Sequence, residues 1–200
     1  MPRRADPENA ERRRDALVRA GYAEIVDKGI HGMTLDSVVV RAGTSKGGAL
    51  YYYRTKEDLL FAVLQWLLGQ LDHTLDEIAH TREPARARLA SELEVLFHSE
   101  EVNRKLYLVL FDFVSLAARS KRFQKPFQDF LSNRREADTK IIEDGIRDQQ
   151  FRRVRPDETA SAIRALVDGY CLQWLLGAED ATLQTYRDRC RAVLGSYLLR

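Results

Sequence analysis

Apolar residues recur at helical spacing along almost the whole chain, and no stretch shows the two-residue alternation of a half-buried strand. A first helix is expected from Pro7 to about Gly29. It carries Leu17, Ala20, Gly21, Ala23, Glu24 and Ile25 on one side, with Arg12, Arg13, Arg14 and Arg19 toward its start. Two short helices follow, Thr34 to about Arg41 and Lys46 to Tyr52. A long one then runs from Lys56 to about Thr81 on the stripe Leu60, Val63, Leu64, Leu67, Leu71, Leu75 and Ile78. At 1.5 Å per residue it spans roughly 39 Å, enough to act as a lever between its two ends. Further helical patterns occupy Pro84 to His98, Glu101 to Arg119, Phe123 to about Gln150, Asp157 to Gly177 and Ala181 to Leu199. Within Glu101 to Arg119 the segment YLVLFDFVSLAA is apolar on almost every side and is expected to be buried on almost every side. In the next helix Phe127, Phe130, Leu131, Ile142 and Ile146 are expected to point inward. The pattern predicts an all-α chain of about nine helices.

The punctuation between Thr34 and Leu60 is the most informative. Thr34 is a candidate N-cap, and Ala42-Gly43 ends the helix that it opens, because Gly tolerates the left-handed exit a sharp turn needs. Thr44 or Ser45 caps the next helix, and Thr55-Lys56-Glu57-Asp58 is close to a capping box. Two short helices joined by a Gly-containing turn form a helix-turn-helix, completed by the first helix and the start of the fourth. The second of the pair offers Ser45, Gly47, Gly48 and Ala49 as small or hydroxylated residues expected at its surface, beside Lys46 and the tyrosines Tyr51, Tyr52 and Tyr53. Small side chains let a helix backbone lie deep in a major groove, tyrosine hydroxyls reach phosphates, and a Lys meets base edges. Lys56 stands at a helix N-terminus, where free amides already favour a phosphate. The expected DNA contacts are therefore Thr34, Thr44, Ser45, Lys46, Gly48, Ala49, Tyr51, Tyr52 and Lys56, with Tyr53 assigned to the core.

At these residues the chain resembles a known family. SKGGALYYYRTKEDLL is similar to the N-terminal signature of the tetracycline-repressor (TetR/AcrR) family of bacterial one-component regulators, in which Ser-Lys-Gly leads to Tyr-His-Phe and then Ser-Lys-Glu. The resemblance places Tyr51 and Lys56 on the family's phosphate-contacting Tyr and Lys, whereas Tyr52 and Tyr53 replace its common His and Phe. It implies a helix-turn-helix DNA-binding domain over 1–56 and a helical ligand-binding and dimerisation domain over 57–200, linked by helix 56–81. FRRVRPDETASAIRALVDGYCLQWLL is similar to a recurrent segment of the family's regulatory domain, with Gln150 standing for the usual Gly. That likeness implies a homodimer paired through the last two helices. Ile163, Leu166, Tyr170, Leu194, Tyr197 and Leu198 are the candidates for that interface, the alternative being that they complete the core of one chain. A two-fold dimer would read the half-sites of a palindromic operator about one DNA turn apart.

Composition adds a charge asymmetry. Apolar residues make up 44% and charged residues 31%, the balance of an ordinary globular chain, and the net charge is +2. Up to Lys56, however, there are 11 Lys and Arg against 7 Asp and Glu, a net of +4, while the remainder carries 21 against 23. Positive charge is thus concentrated where phosphate is expected, and nonspecific binding should weaken with salt. The charged N-terminal stretch MPRRADPENAERRRD is not a secretory leader, and no run approaches the roughly 18 apolar residues of a membrane span. Cys171 and Cys190 lack metal or redox spacing and are expected to be reduced packing residues, consistent with a cytoplasmic location and no membrane partner. Arg3 and Arg4 form either a minor-groove arm or a disordered basic end. His73, Asp76, Glu77 and His80 share a helix face at spacings that metal ligands use, but they lie off the Leu71/Leu75/Ile78 stripe and read as a solvated surface. No metal and no cofactor are expected.

An effector would sit between helices, in an apolar cavity with few polar groups. Asp112 and Ser115 interrupt a nearly all-apolar helix, and Asp168 does the same in a later one; a buried carboxylate needs a partner or a ligand. Trp66, Phe97, Phe111, Asp112, Ser115 and Cys171 form the candidate pocket, for an apolar or amphipathic small molecule, a cation included. The alternative is that all six are core, with Asp112 paired to an Arg. No nucleophile elbow, phosphate-binding Gly loop or Ser/His/Asp or Cys/His constellation is present, so an enzyme is not expected. The function expected is a ligand-responsive DNA-binding transcriptional regulator, a repressor released by an inducer. The competing reading is a helical protein-interaction module without operator binding.

Overall fold

A computed structural model describes residues 7–199, so the Arg3 and Arg4 arm lies outside the described residues. Nine helices and no strand are present among them: α1 (Pro7–Gly32), α2 (Leu35–Arg41), α3 (Lys46–Tyr52), α4 (Lys56–Ala79), α5 (Ala85–Leu96), α6 (Glu100–Ala117), α7 (Lys121–Arg147), α8 (Pro156–Leu175) and α9 (Leu183–Leu198). None of the described helices is long and apolar enough to cross a membrane. Among the described residues, the chain up to Leu68 together with Leu108–Pro126 forms one compact unit, and Gly69–Tyr107 with the chain from Phe127 onward forms a second.

The helix ends lie where short-range hydrogen bonds put them. Thr34 Oγ1 accepts from the Ser37 amide at 3.1 Å, and Ser37 Oγ accepts from the Thr34 amide at 3.2 Å, closing a reciprocal box at the start of α2. Ser45, rather than Thr44, caps α3 by accepting from the Gly48 amide at 3.1 Å. Thr55 and Asp58 form the box that opens α4, with Asp58 Oδ2 accepting from the Thr55 amide and Thr55 Oγ1 from the Asp58 amide. Between α2 and α3, Gly43 takes a φ of 62° in the turn. The first helix continues three residues beyond its expected end, but Gly29 breaks it with φ 70° and ψ 168°. Such a φ is strained for any residue with a Cβ.

In the first unit the core gathers Leu17 and Ile25 of α1, Met33, Val38 of α2, Leu59, Val63 and Leu64 of α4, and Phe113 and Phe123. Each large side chain so buried contributes about 1.5–3 kcal/mol. Phe113 stacks on Phe123 at 6.3 Å and Phe61 meets Phe123 edge-on at 5.9 Å. The second unit buries Leu75, Leu93, Phe97, Tyr107, Ile142, Val167, Tyr186 and both cysteines, which are free thiols.

Two expectations about burial need correction. The sixth helix is not covered on almost every side: Asn103, Tyr107, Val109, Phe113 and Ala117 form its buried stripe, while Val102, Leu108 and Val114 remain open, Val114 at 46% exposure. Hydrophobicity all round a helix does not supply neighbours all round it. Leu131 of α7 likewise lies open instead of pointing inward.

Candidate functional site

In the first unit α1 supports α2 through a buried carboxylate. Glu24 is 4% exposed; Lys28 Nζ donates to its Oε2 at 2.7 Å and Arg41 Nε to its Oε1 at 2.7 Å. Arg41 also reaches Asp27 at 2.5 Å. Hydrogen bonds from Lys28, then Ser37, and with them Arg41, outweigh burial and hold the Glu24 carboxyl at about 2. This ion-paired joint fixes α2 on α1, and Met33, in the link between the two helices, is fully buried.

α3 stands on that support and turns one face outward. Ser45, Lys46, Gly47, Leu50 and Tyr51 are exposed, Tyr51 at 78%. Lys46 Nζ ion-pairs with Asp36 of α2 at 2.8 Å, both side chains being well exposed. Tyr51 packs edge-on against Tyr52 at 5.0 Å, and the Arg14 guanidinium lies 5.6 Å from the Tyr52 ring centre. Gly48 and Thr44 are half-buried, and Thr34 is exposed at the α2 cap. Ala49 differs from expectation: at 3% exposure it is a packing residue, because it lies on the side of α3 opposite Gly47 and Tyr51. Leu50, which reading from residue types overlooked, takes a place on the open face instead. Tyr53 is half-buried, and burial pushes its phenol up. Lys56 is half-buried, with Nζ donating to the His31 carbonyl at 3.2 Å.

The residues expected around an effector fall in both units. In the first, Trp66 packs edge-on against Tyr22 at 5.4 Å with Arg19 over its ring, Phe111 is half-buried, and Ser115 is exposed and accepts from Arg119 at 3.0 Å. Asp112 has a backbone partner: its Oδ2 accepts from the Ile30 amide at 2.9 Å. In the second, Phe97 ends α5 fully buried, and Cys171 is fully buried beside Tyr107, burial pushing its thiol up to about 12. Asp168 is paired with Arg164 one turn earlier, through Nε at 3.0 Å. Burial opposes the Arg164 charge, but Asp168 and Tyr107 more than offset it and hold the guanidinium above its ordinary value.

The second unit also contains a polar cluster that single residues did not announce. Glu92 of α5 and Asp138 of α7 are buried together, and burial first, then their mutual proximity in the case of Glu92, raises both carboxyls above the ordinary range. Arg134 of α7, also buried, spends its charge on Asp72 at 2.7 Å and Asp76 at 3.2 Å of α4. A cavity of about 10 Å³, the size of one water, is lined by Leu75, Leu89, Glu92, Arg134, Asp138 and Arg164 among others. Among the described residues Glu92 Oε1 and Arg134 Nη1 have no hydrogen-bond partner. The spacing that could have revealed this set is helical, Arg134 and Asp138 at i and i+4, but Glu92 comes from another helix. On α4, His73 pairs with Glu77 at 3.5 Å and His80 with Asp76 at 3.4 Å, all four at the surface.

Of the residues expected to form a dimer surface, Ile163, Leu194 and Leu198 are buried within the second unit, Leu166 and Tyr170 are half-buried, and Tyr197 is 44% exposed. Leu172, Leu176 and Val193 are further open apolar residues on α8 and beyond it.

The family model for bacterial regulatory proteins of the tetR family matches residues 17–63, and that for the C-terminal domain of BetI-type transcriptional repressors matches residues 85–199, more than half the chain. The chain belongs to the TetR family, with a BetI-type C-terminal domain. This TetR-family protein is therefore a DNA-binding transcriptional regulator of the repressor class. It is 27% identical over 178 residues to the HTH-type transcriptional regulator BetI of Yersinia pestis (strain Pestoides F), covering 86% of this chain and 85% of that one. It is 26% identical over 158 residues to the HTH-type transcriptional repressor KstR2 of Mycolicibacterium smegmatis, covering 73% and 71%. In fold it is similar to a transcriptional regulator from Saccharomonospora viridis solved in complex with choline, with a TM-score of 0.88 at 19% identity over 95% of this chain and 99% of that one. A TetR transcription regulator from Haloarcula marismortui matches at a TM-score of 0.84 and 23% identity over 94% and 99%.

Proposed function

We propose that the protein is a homodimeric repressor that reads a palindromic operator and leaves it when a small cationic molecule binds. Residues 1–56 act as the DNA-binding domain and 57–200 as the effector and dimerisation part. The observation that carries the DNA reading is α3: capped by Ser45, supported through Glu24 and Arg41, and presenting Lys46, Gly47, Leu50 and Tyr51 on one open face. Lys46 exchanges Asp36 for a base edge or phosphate, Tyr51 donates its hydroxyl to a phosphate, and Gly47 lets the helix approach the groove floor. Leu166, Tyr197 and Val193 supply apolar surface for a second copy of the chain, whose two-fold axis would repeat α3 one DNA turn away.

A cation is favoured on two grounds. Its relative from Saccharomonospora viridis holds choline. The second unit's own cluster sets Glu92 and Asp138 against arginines already neutralised by Asp72, Asp76 and Asp168. The cavity beside them has room for one water, so a larger molecule binds a rearranged state and shifts the population toward it. The test is selection of duplexes from a random pool, followed by titration at several salt concentrations with and without choline chloride, and sedimentation equilibrium of the free protein. Enrichment of an inverted repeat, a dimer, and release by millimolar choline are expected. A monomer, or a selected sequence without two-fold symmetry, would remove the palindromic reading; undiminished binding in choline would remove the cation.

A further inference from the structure

The helix-turn-helix is held at both ends by one segment from far along the chain. Its entrance is the break at Gly29. There α1 leaves helical geometry, so the Ile30 amide cannot follow the helical pattern, and Asp112 of α6 accepts that amide at 2.9 Å. The approach is close: a Cβ on Gly29 would stand 3.3 Å from Asp112 Oδ2. Three residues after this bond the chain enters the fully buried Met33 and then the Thr34 cap of α2.

The exit is the start of α4. Arg122, in the first turn of α7, donates to Asp58 Oδ1 at 2.9 Å and stands 3.6 Å from Glu57. Its guanidinium lies 4.7 Å from the Phe61 ring centre, and Phe61 itself packs on Phe123, Arg122's neighbour. Asp58 is the residue whose carboxylate also closes the cap with Thr55. Asp112 and Arg122 both belong to Leu108–Pro126, which lies in the same compact unit as α1, α2 and α3.

We infer that Leu108–Pro126 is a yoke for the DNA-reading helices. Asp112 and Arg122 are positioning residues that set the orientation of α3, without touching DNA, by fixing where the chain enters α2 and where it leaves α3. The inference rests on α3 being the helix that meets the groove. A charge-assisted bond to a backbone amide and a guanidinium seated on a ring and a carboxylate each restrict rotation, which single apolar contacts do not. Removing either leaves the capping boxes of α2 and α4 intact but frees one end of the motif.

The test uses the full-length protein, a duplex that the wild type selects from a random pool, and a random-sequence duplex of equal length. Asp112→Ala and Arg122→Gln are each expected to weaken the selected duplex about tenfold, the scale of one charge-assisted hydrogen bond. Binding to the random duplex should stay within a factor of about two, because Lys46, Tyr51 and Lys56 still meet phosphates. Asp112→Asn, whose amide oxygen still accepts the Ile30 N–H, should recover most of the loss. Circular dichroism and thermal melts of each variant separate orientation from folding. Unchanged affinity for the selected duplex in folded variants would overturn the inference, and so would equal losses on both duplexes. Should Asp112→Ala fail to fold, Arg122→Gln alone decides, since Arg122 is substantially exposed and replaceable. A wild type that selects no duplex would instead strike at α3 as the reading helix.

Discussion

Glu24→Gln is the perturbation whose size the structure sets best. The wild-type carboxylate is buried yet accepts from Lys28 and Arg41, and its pKa is held at about 2 against an ordinary 4.5. At about 1.36 kcal/mol per pH unit, that displacement corresponds to about 3 kcal/mol. Lys28 is 49% and Arg41 37% exposed, so solvent screens part of the attraction and about 1–2 kcal/mol is the better expectation. Glutamine keeps the shape and one acceptor but loses the charge. Because the folded pKa is depressed, the stabilisation is complete above about pH 4.5 and is lost as pH falls toward 2. The variant should therefore be about 1–2 kcal/mol less stable at pH 7, with a gap that narrows below pH 4.5. Urea unfolding followed by fluorescence of Trp66, which packs on Tyr22 of the same unit, measures this in a Trp174→Phe background. Urea leaves ion pairs unscreened, as guanidinium would not. Equal stabilities at pH 7, or a gap that persists unchanged at pH 3, would refute the ion-pair account of the α1–α2 joint.

Three further outcomes are expected. Lys56→Ala should weaken selected and random duplexes alike and lower the salt slope by about one, a selective loss on one sequence being contrary to a phosphate role. With Glu92 and Asp138 both raised by burial, the folded state holds a proton that the unfolded state releases, so stability falls as pH rises from about 4.5 upward. Glu92→Gln should flatten that fall in melts taken from pH 5 to 9, and an unchanged slope would place the proton elsewhere. Gly145→Ala should lower stability by about 1–3 kcal/mol through overpacking, since the new Cβ would stand 2.1 Å from the Phe151 ring. Thermal melting measures it, and pairing the change with Phe151→Leu should restore part of the loss.

What the chain's own order determined is everything that a few neighbouring residues can settle. Nine helical stretches were legible because each buries one stripe, and the ends were legible because Thr34 with Ser37, Ser45 with Gly48 and Thr55 with Asp58 close their bonds within three residues. Charge asymmetry and the SKGGALYYYRTKEDLL signature pointed to DNA for the same local reason. The tertiary structure decided which side of each element meets another. Only packing turns Ala49 inward and Leu50 outward, leaves Val114 open, and buries Ile163 and Leu198 within one chain. The partner of Asp112 is an amide 82 residues away, exposed to it by a helix break at Gly29, and Glu92 meets Asp138 across two helices. Periodicity names the residues on a face but not the face opposite, and a buried charge announces that it needs a partner without saying which one.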